Sequence, residues 1–442
     1  GGTTIASGTL VGNTTSFGSG AITDNAALDV DLASGVTDAL ANTVSGTGTL
    51  TKTGSGTLEM DNPADSYSGG TLVSAGTMQV DGDESHISGM TTVASGATLS
   101  GIGTMGGDVT IASGGTLSPG DGSGGVGNLS ISGNLIEDAG STANFDMGQA
   151  GVVAGKYNDL VSVGGNLTMA GTLNVTQSAA GDFGLGVYRL YDYGGTLTNN
   201  GVTLAGTDET LQTSVDKEVN LVVTDANVPQ QYWDGANVNG DHGSDGAMGN
   251  GQVDGGNGVW TAPGGSGDGN WTNSAGTGNT SSTQGAFDVF EGKAGTVTVD
   301  DSNGNVTLSG AQFANSDAES GGEYVITGDT LYSSGSDLTL RVGDGTAVGA
   351  ATTAVIDSVI DDSQVAGGTT LVKTDGGTLV LNGDNNYSGG TDIKDGTVVG
   401  SATSFGSGTI TAEAGSGLVL DQTTDGTLTN GLSGSGTLDK EG

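Results

Sequence analysis

Cysteine is absent from all 442 residues, which excludes disulfides, thiolate metal sites and a cysteine nucleophile. Proline occurs four times and the glycines follow no three-residue period, so neither collagen nor a proline-rich coil is possible. Aromatic residues make up 4% and apolar residues 33% of the chain. That is a poor supply for one large globular core, but enough for a thin, long core of small aliphatic side chains. Bases number nine against fifty acids, a net charge of −41. A field of that sign repels phosphate backbones and anionic lipid surfaces and argues against nucleic acid as a partner. The nine bases are scattered along the chain and form no polybasic run. No apolar run of about 20 residues and no signal peptide is visible, so any address or membrane span is expected outside this segment.

Glycine, by contrast, occupies 88 positions, where average usage is roughly 7%. The chain also repeats itself. Residues 1–52 align without a gap with residues 389–440, with 26 identities in 52. A second pair matches LTKTGSGTLEMDNPADSYSGGTLVSAGTMQV from Leu50 with LVKTDGGTLVLNGDNNYSGGTDIKDGTVV from Leu371. The segment therefore starts and stops in mid-repeat, as a slice of something longer, and its ends at Gly1 and Gly442 are expected to fray or to stack end to end. A shorter period runs inside these units: the glycine steps at Gly56, Gly76, Gly96 and Gly115 are 20, 20 and 19 residues apart.

That spacing is too long for a hairpin strand and suits one coil of a β-solenoid. Within each coil an inward aliphatic residue is followed by two small residues, a glycine turn, and resumed two-residue alternation, as in TLEM, TMQV and TLNV. The predicted fold is all-β, a right-handed parallel β-helix of roughly 20 residues per coil with almost no helix. At ~4.8 Å per coil, about 20 coils would make a rod on the order of 100 Å. The blocks expected are a β-helix repeat block over 1–125, a β-helix block over 126–228, a Gly/Asp/Trp-rich junction or insertion over 229–275, and a further repeat block over 276–442.

The repeat at Leu50 resembles the passenger-associated repeat of bacterial autotransporters, of the AIDA-like, self-associating adhesin type. Further phrases follow in that family's order: VTIASGGTLSPG ending at Gly120, GNLSISGNL ending at Leu135, YNDLVSVGGNLTM from Tyr157, GTLNV ending at Val175, GVYRLYDYGG from Gly186, YWDG at 232–235 and GNWT at 269–272. The resemblance covers most of the chain. It implies a right-handed β-helix exported through an outer-membrane translocator barrel, lying outside this segment, and displayed extracellularly on the cell surface.

No GDSGS-like serine-protease phrase is present, and the two histidines, His86 and His242, stand 156 residues apart in Gly/Asp/Ser-rich contexts. They read as exposed loop residues, not as members of a triad or metal site. No catalytic residue and no cofactor are assigned. The compositional outlier is 229–275, which holds all three tryptophans, Trp233, Trp260 and Trp271, among Asp234, Asp241, Asp245, Asp254 and Asp268. Aromatic faces beside carboxylates are weak candidates for holding a sugar, and the acids for taking up Ca²⁺. The structural alternative, that the tryptophans pin glycine-rich loops at a junction, is favoured. GGSGDGN from Gly264 comes near a calcium-roll phrase once and is not tandem; any Ca²⁺ is expected to be loosely bound.

The function expected is contact: adhesion to a host or abiotic surface, or cell-to-cell self-association, through lateral ladders of Thr, Asn, Ser and Asp. The rivals are an inert spacer that presents another domain and, more remotely, a β-helical carbohydrate-active enzyme.

Overall fold

The computed structural model describes residues 1–120, 125–148, 157–179, 183–184, 186–205, 209–215, 217–223, 228–235, 251–344 and 349–442. Among them there is no α-helix, and two single 3-10 turns, Ala318–Ser320 and Gly349–Ala351, interrupt the strands. The chain divides into two compact units. The first comprises Gly1–Gly148, Gly155–Gly181 and Leu190–Thr207; the second comprises Gln149–Ala154, Asp182–Arg189 and Asp208–Gly442.

Unit one is a parallel β-solenoid whose main walls are sheets of nine and eight strands. Alternation writes it directly. In Thr57–Met60 the burial pattern runs half-buried, buried, half-buried, buried, and each coil lays its strand on the last in register. Leu58, Met78, Leu99, Leu117, Ala143 and Leu173 stack as one inward column. All six are buried, and each large member contributes ~1.5–3 kcal/mol by leaving water. The outward partners Thr57, Thr77, Thr98, Thr116, Thr142 and Thr172 stack beside them. The two-residue period thus becomes two parallel columns, one oily and one hydroxylic.

A coil of about 20 residues holds where the repeat is clean, from Leu58 to Met78 to Leu99. Elsewhere it lengthens, to 26 residues between Leu117 and Ala143 and 30 between Ala143 and Leu173. Strand registers set the rung, and loops of any length leave the stack between strands. The even 20-residue count expected for the whole chain therefore overstates the number of coils. Registers also run on across 125/126, where Thr104–Met105 pairs with Ser130–Ile131.

Glycine marks where backbones meet. A Cβ on Gly69 would lie 1.9 Å from the Gly48 carbonyl oxygen, and one on Gly89 would lie 1.8 Å from that of Gly69. The same contact continues from Gly89 to Gly107, Gly133 and Gly165, so one corner of the solenoid is a column of glycines that admits no side chain. The next residue on each turn ties the coils together. Asp108 accepts from the backbone N–H of Asn134, Asn134 from that of Asn166, and Asn166 from that of Thr196, at 2.8, 2.8 and 2.9 Å. Each side chain satisfies a turn N–H one coil along, a group that would otherwise be orphaned.

Unit two is built from a sheet of eleven strands, parallel but for its first pair, and a parallel sheet of eight. One continuous apolar core runs from Trp233, Trp260 and Trp271 to Leu418. A hairpin of Glu209–Gln212 with Glu218–Val223 is antiparallel.

The two long repeats fold with matching polar fixtures. Lys52 is fully buried and donates to the carbonyls of Thr53, Gly54 and Ala75; Lys373, also fully buried, donates to those of Thr374, Asp375 and Asp395. In each case the third carbonyl belongs to the next coil. Tyr67 and Tyr387 share hydrogen bonds of 2.7 Å with Thr71 and Thr391. Asn42 and Asn430 donate to Gly20 and Gly408 carbonyls at 2.6 Å each.

Replacing Gly89 by alanine is expected to lower the thermal midpoint or abolish folding of the first unit, since the clash is with backbone. Gly278→Ala, where a Cβ meets nothing within 4 Å, should melt like the parent. A Gly89→Ala variant with parental melting would refute the close-contact column. Lys373→Ala should cost ~2–4 kcal/mol by stranding three carbonyls, read as a lower denaturant midpoint for unit two.

Candidate functional site

The three tryptophans face inward. They sit on the first rung of unit two, on strands Gln230–Trp233, Gly258–Thr261 and Trp271–Thr272, which head the two sheets. Trp271 packs edge-on against Trp233 at 5.1 Å and Trp260 at 5.2 Å between centroids, and Phe290 and Phe313 continue the stack at 4.9 Å. All three indoles are buried, so no indole face is presented to a sugar; the rings fill the start of the hydrophobic column. Trp233 donates through Nε1 to the Gly256 carbonyl at 2.8 Å, which pins one glycine-rich turn.

The acids of this segment serve the same loops. Asp234 is buried and accepts from the Asp254 backbone N–H at 2.9 Å, and Asp254 in turn accepts through its carbonyl from Lys293 N–H. Asp268 accepts from the Gly264 N–H at 2.6 Å. Burial lifts the Asp268 carboxyl, but hydrogen bonds from Ser281, Gly264, Ser282 and Gly269 outweigh it and hold the group below the usual range. Asp241, Asp245 and His242 lie outside the described residues. His86 is exposed. Among the described residues no three His, Asp or Glu side chains are grouped to hold a metal ion.

The largest ordered array of polar side chains is on the wall of unit one. From Thr37 through Thr57, Thr77, Thr98, Thr116, Thr142 and Thr172 to Thr203, eight threonines occupy one outward column with no interruption. The two end members are exposed and the six between are half-exposed. At ~4.8 Å per rung, the column presents hydroxyl and methyl groups in strict alternation with the coil spacing. Two residues along each strand a second column runs through Glu59, Gln79, Ser100 and Ser118, and farther up Asn174 donates to Asn144 at 2.9 Å. In unit two Thr353, Thr378 and Thr397 form a shorter ladder, flanked by half-exposed Val355, Val380 and Val399.

Several buried acids were not visible in the sequence, because nothing in an acid-rich chain distinguishes them. Glu137 is buried, accepts from the Tyr191 hydroxyl at 2.9 Å, and is pushed by burial up to about 7. Burial pushes Glu291 up to about 8, helped by the neighbouring Glu218. Glu84 also rises to about 8, from burial and the nearby Asp65. In unit two Arg189 is clasped between Glu218 and Asp344 at 2.6 Å each, and its Nε donates to Asn220.

The comparisons agree with this architecture. A family model described as the passenger-associated-transport-repeat matches residues 50–80 and 371–399, the two stretches that share the buried lysine and the tyrosine–threonine pair. The chain is also similar to the adhesin BmaC autotransporter of Brucella suis biovar 1 (strain 1330), at 41% identity over 362 residues, 80% of this chain. It spans about 10% of that relative's length.

The raised carboxyls set a pH dependence. A group such as Glu137, near 7 when folded and ~4.5 when unfolded, stabilises fully below ~4.5 and loses that contribution as pH rises through 7. The unfolding midpoint should therefore fall between pH 5 and 7.5. Glu137→Gln should remove on the order of 3 kcal/mol of that slope in unit one. Parallel slopes for parent and variant would refute a protonated Glu137.

Proposed function

This chain is an autotransporter passenger region of the kind displayed extracellularly on the bacterial cell surface, and from that premise we propose that it acts there in adhesion, through lateral polar contacts along the threonine-lined wall of unit one. The observation that carries the reading is the eight-rung column from Thr37 to Thr203. A single hydroxyl contact in water is worth little, ~0.5–1.5 kcal/mol net. Eight of them at fixed spacing bind together once the first is made, because each later contact forms at high effective concentration. The rigid wall lowers the ordering cost further, since the side chains are β-branched and restricted at χ1.

The partner is either a surface with its own repeating polar groups or the same wall on a neighbouring cell. Self-association must overcome the mutual repulsion of chains at −41 each, which salt screens within a Debye length of ~8–10 Å at physiological strength. Contact between cells is therefore expected to strengthen with added salt or divalent cations.

The test displays the chain on a non-adherent cell and compares it with a variant carrying Thr57→Val, Thr77→Val, Thr98→Val and Thr116→Val. Valine keeps the branched shape and the strand propensity but removes the hydroxyls. The parent is expected to clump cells or bind a coated surface, more strongly at high salt; the variant should lose most of that avidity while its melting curve stays within a few degrees. Equal adhesion by both overturns the ladder as the contact surface. Absence of adhesion by the parent at every salt and calcium concentration favours the spacer role.

A further inference from the structure

Unit two carries a cleft of about 440 Å³ on the outer face of its eleven-stranded sheet, within the ~300–1,000 Å³ typical of small-molecule sites. Its floor crosses successive coils. Phe287, Gly310, Thr339 and Val372 share one outward column, and Gln312, Arg341 and Thr374 share the next. Gly184 and Val228 form its rim. The approach of residues 184–188 is fixed: Gln312 donates to the Val187 carbonyl at 2.7 Å, and the Arg341 guanidinium lies 4.5 Å from the centroid of the Tyr188 ring.

Three features set this cleft apart from an incidental groove. First, the floor contains a register shift: Ala286 pairs with Leu308 but Phe287 with Gly310, so Ser309 is the extra residue of a bulge, a device that re-aims a side chain. Second, polar atoms at the cleft lack partners. Asp375 is fully buried; its Oδ2 meets Arg341 Nε at 3.2 Å, while its Oδ1 has no hydrogen-bond partner, and neither has the Ser309 hydroxyl. Unsatisfied buried acceptors are costly and rare. Third, the lining charges cancel. Asp337 and Asp375 stand with Arg341 and Lys394, two of only nine bases in a chain of net charge −41.

We propose that this cleft binds a saccharide unit of a surface glycan, its hydroxyls bonded across Ser309, Thr339, Thr374 and Asp375 and its apolar ring face laid against Val372 and Phe287. A sugar needs donors and acceptors interleaved at short range with an apolar patch beside them, and no net charge. The lining supplies all three. The proposal deepens the adhesion reading by giving it a ligand class, and its failure is separable from that of the threonine ladder, which lies in the other unit.

The test titrates the whole chain calorimetrically with galactose-, N-acetylglucosamine- and sialic-acid-terminated oligosaccharides, and with glycine and alanine as small zwitterions. Saturable binding of at least one oligosaccharide is expected. Thr339→Phe, which fills the cleft, and the paired Ser309→Ala and Thr374→Val, which only remove hydroxyls, should each weaken it by about tenfold or more, with melting unchanged. Asp337→Ala at the exposed rim should weaken it as well without touching the core. Binding of no oligosaccharide, equal binding by parent and cleft variants, or preference for the amino acids overturns the site. Cells that still clump when the parent binds no sugar overturn the cleft alone.

Discussion

Neighbouring coils of this protein approach to one hydrogen-bond spacing, ~4.8 Å, and every position around the coil must tolerate its own equivalent at that distance above and below. In a globular protein each residue answers to a private environment. Here it answers first to its copy. Where side chains point inward, stacking Leu on Met on Leu fills the core. Where they point outward, threonine on threonine packs methyl to methyl and leaves hydroxyls free. Where the backbone itself turns against the next coil, as at Gly69 and Gly89, only hydrogen fits. Glycine richness is thus largely a consequence of close approach between coils, added to the turns that need left-handed backbone.

The same constraint decides how turns are satisfied. A corner cannot bond to itself, because its donors and acceptors point along the stack, so side chains of the right reach bridge from coil to coil. Asp108, Asn134 and Asn166 do this for N–H groups, and Lys52, Lys373, Asn42 and Asn430 for carbonyls. A buried lysine among carbonyls is costly to desolvate: Lys373 is held down to about 8 by burial, against the pull of Asp375 and Asp395. Its recurrence in both passenger-associated repeats at the same three-carbonyl site shows that what these repeats share is a tie between consecutive coils, over and above the sequence pattern.

Much of this was legible in the sequence, because a constraint repeated at every coil writes itself many times. The two-residue alternation, the glycine turns and the 388-residue echo are all of that kind. What could not be read was whatever depends on one pairing across a long stretch of chain. Arg189 meets Asp344, and Arg341 meets Asp375, so bases that look scattered along the chain are gathered in space. Coil length was misjudged as uniform because loops that leave the stack carry no register. The tryptophans drew notice as a compositional anomaly, yet an indole's chemistry does not say which way it points. The topology does: on the first rung of a column, with no earlier coil to cover the core, large rings close the end.

Regularity and its interruption then divide the chemistry between them. A ladder of identical hydroxyls discriminates poorly, since any surface that offers polar groups at a compatible spacing matches it, and its strength comes from number. Selectivity needs different groups side by side, and a perfect stack forbids that, because each column tends toward one residue type. The bulge at Ser309 and the long coils around Asp337 and Asp375 break the columns locally and bring serine, threonine, acid and base into one small volume. The cost of that break appears as the unpartnered oxygen of Asp375 and the unpartnered hydroxyl of Ser309, so a ligand able to bond to both would recover energy that the folded chain leaves unspent.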